Sequence, residues 1–224
     1  MVKPKTGVKP GTGVKPGTEA KQVTGAKQTA RVTAAAKKAG SSTAAPSVER
    51  RSALAGKAVS AANVALAILP PAGRISVRAP EASLGSVSRA LGLTLPQKPK
   101  TSAAKDGRAA LWLGPDEWLV LDEAGGDLVA DCAKAKALHS AVDVSHRNVA
   151  ISVTGTTAAA TINSGCPQDL SLEVFPVGAC SRTVLGKSEI LLYRTAPDAF
   201  RVECWRSFSD YVFTYLTEAA RSAA

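Results

Sequence analysis

From residue 74 onward, apolar and polar positions alternate with two different periods, and the switches between them predict an ordered series of elements. "RISVRAP" (74–80) sets Ile75, Val77 and Ala79 at every second position and predicts a strand. "EASLGSVSRALG" (81–92) spaces Leu84, Val87 and Leu91 by three and four, the period of a helix, and ends on a glycine stop. "AALWLGPDEWLVLD" (109–122) holds two apolar runs around Gly114-Pro115-Asp116-Glu117, a hairpin with proline where it presets the turn. A short helix is predicted over "GDLVADCAKAKAL" (126–138), then strands over "AVDVS" (141–145) and "NVAISVTG" (148–155), where Val149, Ile151 and Val153 share a face. "TTAAATINSG" (156–165) reads as a helix closed by glycine, and a loop follows over 166–179. Three strands come next, "CSRTVLG" (180–186), "SEILLYR" (188–194) and "FRVECWR" (200–206), the last with Phe200, Val202 and Cys204 on one face. The closing helix starts near Ser207, and its period groups Phe208, Tyr211, Val212, Tyr215, Leu216 and Ala219 on one amphipathic face.

From Asn148 the order is strand, helix, three strands, helix, a split strand-helix-strand plan. Residues 74–138 follow the same plan more weakly. The expected fold is therefore α+β, with antiparallel sheets carrying helices on one side and two related halves, about 70–140 and 141–224.

Charge separates an N-terminal arm from this domain. The formal net charge is +10, yet residues 1–51 hold 11 Lys and Arg against two acids, while residues 52–224 hold 17 against 16. The arm repeats a six-residue unit (VKPKTG, VKPGTG, VKPGTE, AKQVTG, AKQTAR) over 2–31. Such a unit buries too little apolar surface to offset the roughly 1–2 kcal/mol per residue that backbone ordering costs. Residues 1–51 thus read as a disordered basic arm and residues 52–224 as the folded domain. Cations of this density suit phosphates on nucleic acid or an anionic lipid surface, with a solvated, solubilising arm as the plainer alternative. No aromatic residue precedes Trp112, so the arm offers no base-stacking platform.

The apolar run 53–69 is interrupted by Lys57 and Asn63 and is mostly alanine, short of the roughly 20 strongly apolar residues of a membrane span. As a signal peptide it would need an unusually long leader. The expected compartment is the cytoplasm. Cys132, Cys166, Cys180 and Cys204 form no C-x-x-C and sit beside no histidine at ligand spacing, which argues against a zinc site and a secreted disulfide framework.

"DVSHRN" (143–148) puts an acid, a hydroxyl, an imidazole and a guanidinium side by side in a chain with two histidines. A Ser-His-Asp triad needs the base within reach of both partners, but on a strand Asp143 and Ser145 point to one face and His146 to the other. If 146–148 turn instead, Asp and Ser side chains bond to backbone amides at a break between strands. Either way the motif reads as structural or interfacial. The carboxylate pairs Asp116-Glu117 and Asp122-Glu123 read as exposed residues around the hairpin, and His139 as a capping or surface residue. The glycines of "AGGDL" and "GTGVKPGT" lack dinucleotide- or phosphate-binding spacing.

"GPDEWLVL", "AVDVSHRNVAISVTG", "INSGCPQDL", "FPVGACSRTVLGKSEILLYR" and "FRVECWRSFSDYVFTYL", in this order over about residues 52–220, resemble the gamma subunit of heterotetrameric sarcosine oxidase. The resemblance implies membership in a four-subunit complex with alpha, beta and delta chains. That complex demethylates sarcosine to glycine, reduces oxygen to peroxide and passes the one-carbon unit to tetrahydrofolate, and FAD, FMN, NAD and zinc belong to the partner subunits. It also implies a fold similar to the folate-binding part of glycine-cleavage aminomethyltransferases, whose "DVSH…G" entry "DVSHRNVAISVTG" resembles. Those enzymes carry a catalytic Asp in a "GG..DDL" strand; here "GKSEILLYR" sets Glu189 roughly at the acid position, and the paired Asp is missing. The resemblance therefore implies a structural subunit without catalytic, cofactor or metal residues of its own. Its interface or structural candidates are Asp143, His146, Arg147, Cys166, Asp169, Arg206 and Phe208, because Arg and aromatic residues exposed on rigid elements anchor interfaces. A stand-alone folate-dependent one-carbon protein and a nucleic-acid-binding protein acting through the arm are the alternatives.

Overall fold

The computed structural model describes residues 53–54 and 56–222, and the arm predicted for residues 1–51 lies outside the described residues. Eleven strands and four α-helices occur among the described residues. The strands are β1 (Ala58–Ser60), β2 (Ala65–Ile68), β3 (Gly73–Arg78), β4 (Ser102–Lys105), β5 (Arg108–Gly114), β6 (Glu117–Asp122), β7 (Ser140–Asp143), β8 (Asn148–Thr154), β9 (Cys180–Leu185), β10 (Ser188–Ala196) and β11 (Ala199–Trp205). The helices are α1 (Leu84–Leu91), α2 (Leu128–Cys132), α3 (Ala158–Asn163) and α4 (Ser209–Ser222).

All strand pairs are antiparallel and form two sheets, one in the order β7-β3-β6-β5-β4 and the other β1-β2-β8-β11-β10-β9. Read from β3 and from β8, the halves match strand for strand: β3-β6-β5-β4 against β8-β11-β10-β9, each with a helix after the first strand and another after the fourth. The two-half α+β expectation holds. Just before the equivalent strands β4 and β9, Thr101 and Ala179 form an antiparallel bridge that ties the halves together.

Period-2 patterning explains the layering. Ile75, Val77, Trp118 and Val120 point to one side of the first sheet and pack on Leu84, Val87 and Leu91 of α1 and Leu128 and Cys132 of α2. Val149, Ile151, Val153, Phe200, Val202 and Cys204 do the same in the second sheet against Ile162 of α3 and Val212, Phe213 and Leu216 of α4. Helices thus cover one side of each sheet. The opposite sides face each other through Leu111, Leu119, Leu121, Val144 and Leu191.

Several details differ from the sequence expectation. The run 53–69, with no structure assigned from periodicity, supplies the hairpin β1–β2 on the edge of the second sheet. Strand β4 was invisible because "SAAK" has no large apolar residue, although Asp106 and Gly107 (φ 51° and 78°) make the Asp-Gly turn that commonly joins hairpin strands. Helix α2 is five residues long rather than spanning 126–138: Asp127 caps it by accepting from the Ala130 amide at 2.9 Å. Beyond Cys132 the chain tightens into three-residue turns, Lys134 N to Asp131 O and Ala135 N to Cys132 O. In α4 the buried positions are Ser209, Val212, Phe213, Leu216, Thr217 and Ala220, while Phe208 and Tyr211 are exposed. The face is rotated from the predicted one because a short 3-10 turn, Arg206–Phe208, precedes the helix. Gly165 does not close α3 in a left-handed conformation; it leaves room for the Tyr215 ring, 2.6 Å from where a Cβ would stand.

A candidate functional site at the junction of the two halves

Strand β7 ends the first half at Asp143 and β8 opens the second at Asn148, so "DVSHRN" is the covalent hinge between two sheets. Residues 145–147 form a turn. The Ser145 amide donates to Asp143 Oδ1 at 2.8 Å, an Asx-type bond that bends the chain out of the strand. The Ser145 hydroxyl accepts from the Arg74 amide at 2.8 Å and donates to the Arg74 carbonyl at 3.3 Å, pinning the hinge to the start of β3. Val144 inserts between the sheets, and its amide donates to the Arg74 carbonyl at 2.9 Å. This is the turn alternative. Ser145 Oγ is committed to backbone, the exposed His146 ring has no hydrogen-bond partner among the described residues, and no triad exists.

The turn projects charge onto the surface. Arg147 donates its amide to Val144 O at 3.0 Å and accepts on its carbonyl from the Arg206 amide at 2.7 Å, which locks the hinge to the end of β11. Its guanidinium lies 5.6 Å from the centroid of Trp205, a cation–π contact, and Trp205 packs on Phe208 at 6.2 Å. Trp205 and Phe208 are 42% and 45% exposed. Of the candidates, His146, Arg147, Arg206 and Phe208 therefore converge on one exposed patch, with Asp143 holding the turn behind it. Trp205 was missed, although alternation in "FRVECW" already sets it on the opposite face from Phe200, Val202 and Cys204. Glu189 lines the small cleft beside Arg147, Arg182 and Trp205.

Cys166 and Asp169 lie apart from this patch, in the loop after α3. Cys166 is buried, its sulfur 3.8 Å from the Thr183 hydroxyl, so it presents no side chain to a partner. Asp169 is exposed and accepts from the Ser171 amide at 2.8 Å, a bond that holds its carboxyl below the usual range.

Beneath the hinge, between the sheets, lies a buried ionic network. Glu203 of β11 accepts from Arg74 of β3 at 2.8 Å and 3.0 Å in a two-point contact, and from Arg201 Nε at 2.8 Å. Arg201 also pairs with Glu123. Burial pushes the Glu203 carboxyl up, but the charges and hydrogen bonds of Arg201 and Arg74 outweigh it and hold the group below the ordinary carboxylate range. A second cluster joins Arg108 to Asp122 and Asp131 at 2.8 Å and 2.7 Å. Asp116 is an exposed turn residue as expected and Glu123 is exposed, but Asp122 is 1% exposed, and Asp122, Glu123 and Glu117 all pair with arginines. His139 sits beyond α2, half-buried, with Nδ1 2.7 Å from the Ala137 carbonyl.

The four cysteines are buried free thiols. Burial pushes Cys132 up to about 11 and Cys180 and Cys204 up to about 12. Among the described residues, no three His, Cys, Asp or Glu side chains are grouped to hold a metal, and no helix is long and apolar enough to cross a membrane.

A family model described as the sarcosine oxidase, gamma subunit family matches residues 77–222, the span that carries both halves of the fold. The chain belongs to the sarcosine oxidase gamma subunit family. It is 30% identical to the sarcosine oxidase gamma subunits of Corynebacterium sp. strain P-1 and of an Arthrobacter species, in each case covering 66% of this chain and 75% of the relative. A chain of the heterotetrameric sarcosine oxidase from Corynebacterium sp. U-96, solved with pyrrole 2-carboxylate, superimposes with a TM-score of 0.72 at 27% identity, covering 78% of this chain and 96% of that one. The glycine cleavage system aminomethyltransferase T from Bartonella henselae shares the fold, at a TM-score of 0.53, 13% identity, 71% of this chain and 49% of its own.

Proposed function

We propose that this chain is the gamma subunit of a heterotetrameric sarcosine oxidase and serves its assembly without catalytic residues of its own. The observation that carries this reading is the fit to a solved heterotetramer, one chain of which is matched over 96% of its length. The ionisable groups support it: those between the sheets are engaged in arginine–carboxylate pairs, and Ser145 is bonded to backbone. In this reading the partners are alpha, beta and delta subunits, which bring FAD, FMN, NAD and zinc and carry out the oxidation of sarcosine with transfer of the one-carbon unit to tetrahydrofolate, in the cytoplasm. The patch of His146, Arg147, Trp205, Arg206 and Phe208 meets the large subunit. Its aromatic and guanidinium groups are held on turns tied to β11, so they lose little freedom on docking.

The test is co-expression of candidate alpha, beta and delta subunits with and without this chain, followed by sizing and a sarcosine-dependent peroxide assay. Co-elution, with assembly or turnover lost when the chain is omitted, is the expected result. Partner subunits that assemble and turn over normally without it would overturn the assignment. His146→Ala should leave turnover per assembled complex unchanged, since the imidazole has no hydrogen bond or ion pair among the described residues.

A further inference from the structure

We propose that the cleft between the two sheets beside Glu123 binds a small free carboxylate, anchored by the guanidinium of Arg201. The cleft encloses about 420 Å³ and is lined by Lys105, Arg108, Leu121, Glu123, Tyr193 and Arg201 among others. That volume is within the range of small-molecule sites.

Arg201 is 4% exposed, and its donors are unevenly used. Nε donates to Glu203 at 2.8 Å and Nη1 to Glu123, while Nη2 is buried with no partner among the described residues. A guanidinium matches a carboxylate best through two parallel N–H groups. The outer edge of Arg201, Nη1 with Nη2, receives only one oxygen of Glu123, so half of that fork is empty. Buried donors are almost always satisfied, which makes the orphaned Nη2 a group that awaits an acceptor.

Charge points the same way. Two buried guanidiniums, Arg74 and Arg201, face a single buried carboxylate, Glu203. The remaining positive charge is offset by Glu123, whose side chain is 59% exposed and can swing into water at little cost. Glu123 thus occupies the anchor as an internal, displaceable carboxylate. Lys105 stands at the rim without an ion pair among the described residues, and the half-buried Tyr193 hydroxyl has no hydrogen-bond partner among them. Arg108 is not available to the ligand, since its three nitrogens are held by Asp122, Leu91 and Asp131 and its charge is neutralised by the two carboxylates. Ala104, Ala109 and Leu121 give an apolar wall that fits a short carbon skeleton. Asp106 and Glu123 at the rim disfavour a multiply charged phosphate, and a single carboxylate on a small apolar body meets all of these features.

The test is an amide NMR titration of the isotope-labelled full chain with sodium propionate at constant ionic strength, with sodium chloride and sodium phosphate as parallel titrations. The expected result is saturable shifts at residues 104–109, 123 and 193–195, with a dissociation constant on the order of 1 mM for so small a probe. Glu123→Gln removes the internal competitor and should tighten binding by about fivefold, whereas Arg201→Lys keeps the charge, loses the fork and should weaken binding by about tenfold. Tyr193→Phe, which leaves the Glu203 network intact, should weaken it by about threefold and decides the matter if Arg201→Lys fails to fold. Shifts that do not saturate, equal shifts with chloride or phosphate, or a Glu123→Gln variant that binds no tighter would each overturn the proposal.

Discussion

Replacing Glu203 by glutamine should cost far more than its single lost charge suggests. Glu203 is 1% exposed and is the sole acid between Arg74 and Arg201 that is itself buried. Arg74, at 2% exposure, has only the Ala72 carbonyl, at 3.0 Å, as a further acceptor for its side chain among the described residues. In Glu203→Gln, Arg74 becomes a buried cation facing a neutral amide. Breaking a buried pair from one side typically costs about 3–5 kcal/mol. At roughly 2–4 °C per kcal/mol for a domain of this size, the melting midpoint should fall by about 6–20 °C. Urea unfolding followed by far-UV circular dichroism measures the free-energy loss, and a thermal scan by the same signal measures the midpoint.

A paired variant makes the reasoning sharper. Desolvating three charges is itself costly, so Arg74→Met combined with Glu203→Leu should be less destabilised than Arg74→Met alone, which leaves Glu203 with Arg201 as its one buried partner. The pH dependence supplies a second check. The folded-state value of Glu203 lies below its ordinary one, so the network contributes stability above the unfolded pKa of about 4.3 and loses it as pH falls through the folded value. Wild type should therefore lose more stability than Glu203→Gln on acidification below about pH 4. A Glu203→Gln variant within about 1 kcal/mol of wild type, or a double variant worse than both singles, would refute the view that charge pairing holds the sheets together.

The remaining predictions concern shape, thiols and assembly. Gly155 has φ +126°, and a Cβ there would stand 2.2 Å from the Asn63 carbonyl oxygen, so Gly155→Ala should cost about 3 kcal/mol or more by urea unfolding. Gly165→Ala meets only the Tyr215 ring and should cost about 1–2 kcal/mol, because that half-buried ring can move; equal losses at the two glycines would contradict this. Cys132, Cys180 and Cys204 are raised to about 11, about 12 and about 12, so a disulfide reagent at pH 8 should label them only at the rate of unfolding. Fast labelling of any of the three in folded protein would show the packing to be wrong. Trp205→Ala should weaken assembly with the partner subunits by about 2 kcal/mol, roughly 30-fold, with little change in the melting midpoint, and affinity within twofold of wild type would exclude Trp205 from the interface.

What the sequence could and could not reveal follows from how far apart the determinants lie. Patterns carried within a dozen residues were readable: the alternation in β3, β8 and β11, the period of α1 with its left-handed Gly92 stop, and the Pro115-Asp116 hairpin. The repeat of the two halves was readable as element order, and a further trace was available. Pro197-Asp198 turns the β10–β11 hairpin as Pro115-Asp116 turns β5–β6, each after a register irregularity in the preceding strand. The strands β1, β2 and β4 are not readable, because such short, alanine-containing strands at or next to a sheet edge owe their conformation to a neighbour rather than to their own apolar period. The rotated face of α4 needed the start of the helix to within one residue, which periodicity does not give.

The ionic network was hidden more deeply, since Arg74 and Glu203 are 129 positions apart and each reads locally as a polar residue on the outer face of a strand. The alternation that made the strands legible misleads here. It assigns one face to the core and the other to water, but when two such sheets stack, the polar faces become interior, and the charges on them must pair or be given an acceptor. Arg74 and Glu203 pair across that interior, and Arg201 does so with only part of its guanidinium. The two-sheet stack therefore accounts both for the buried network that joins the halves and for the unpartnered Nη2 donor of Arg201, a residue that lines the cleft.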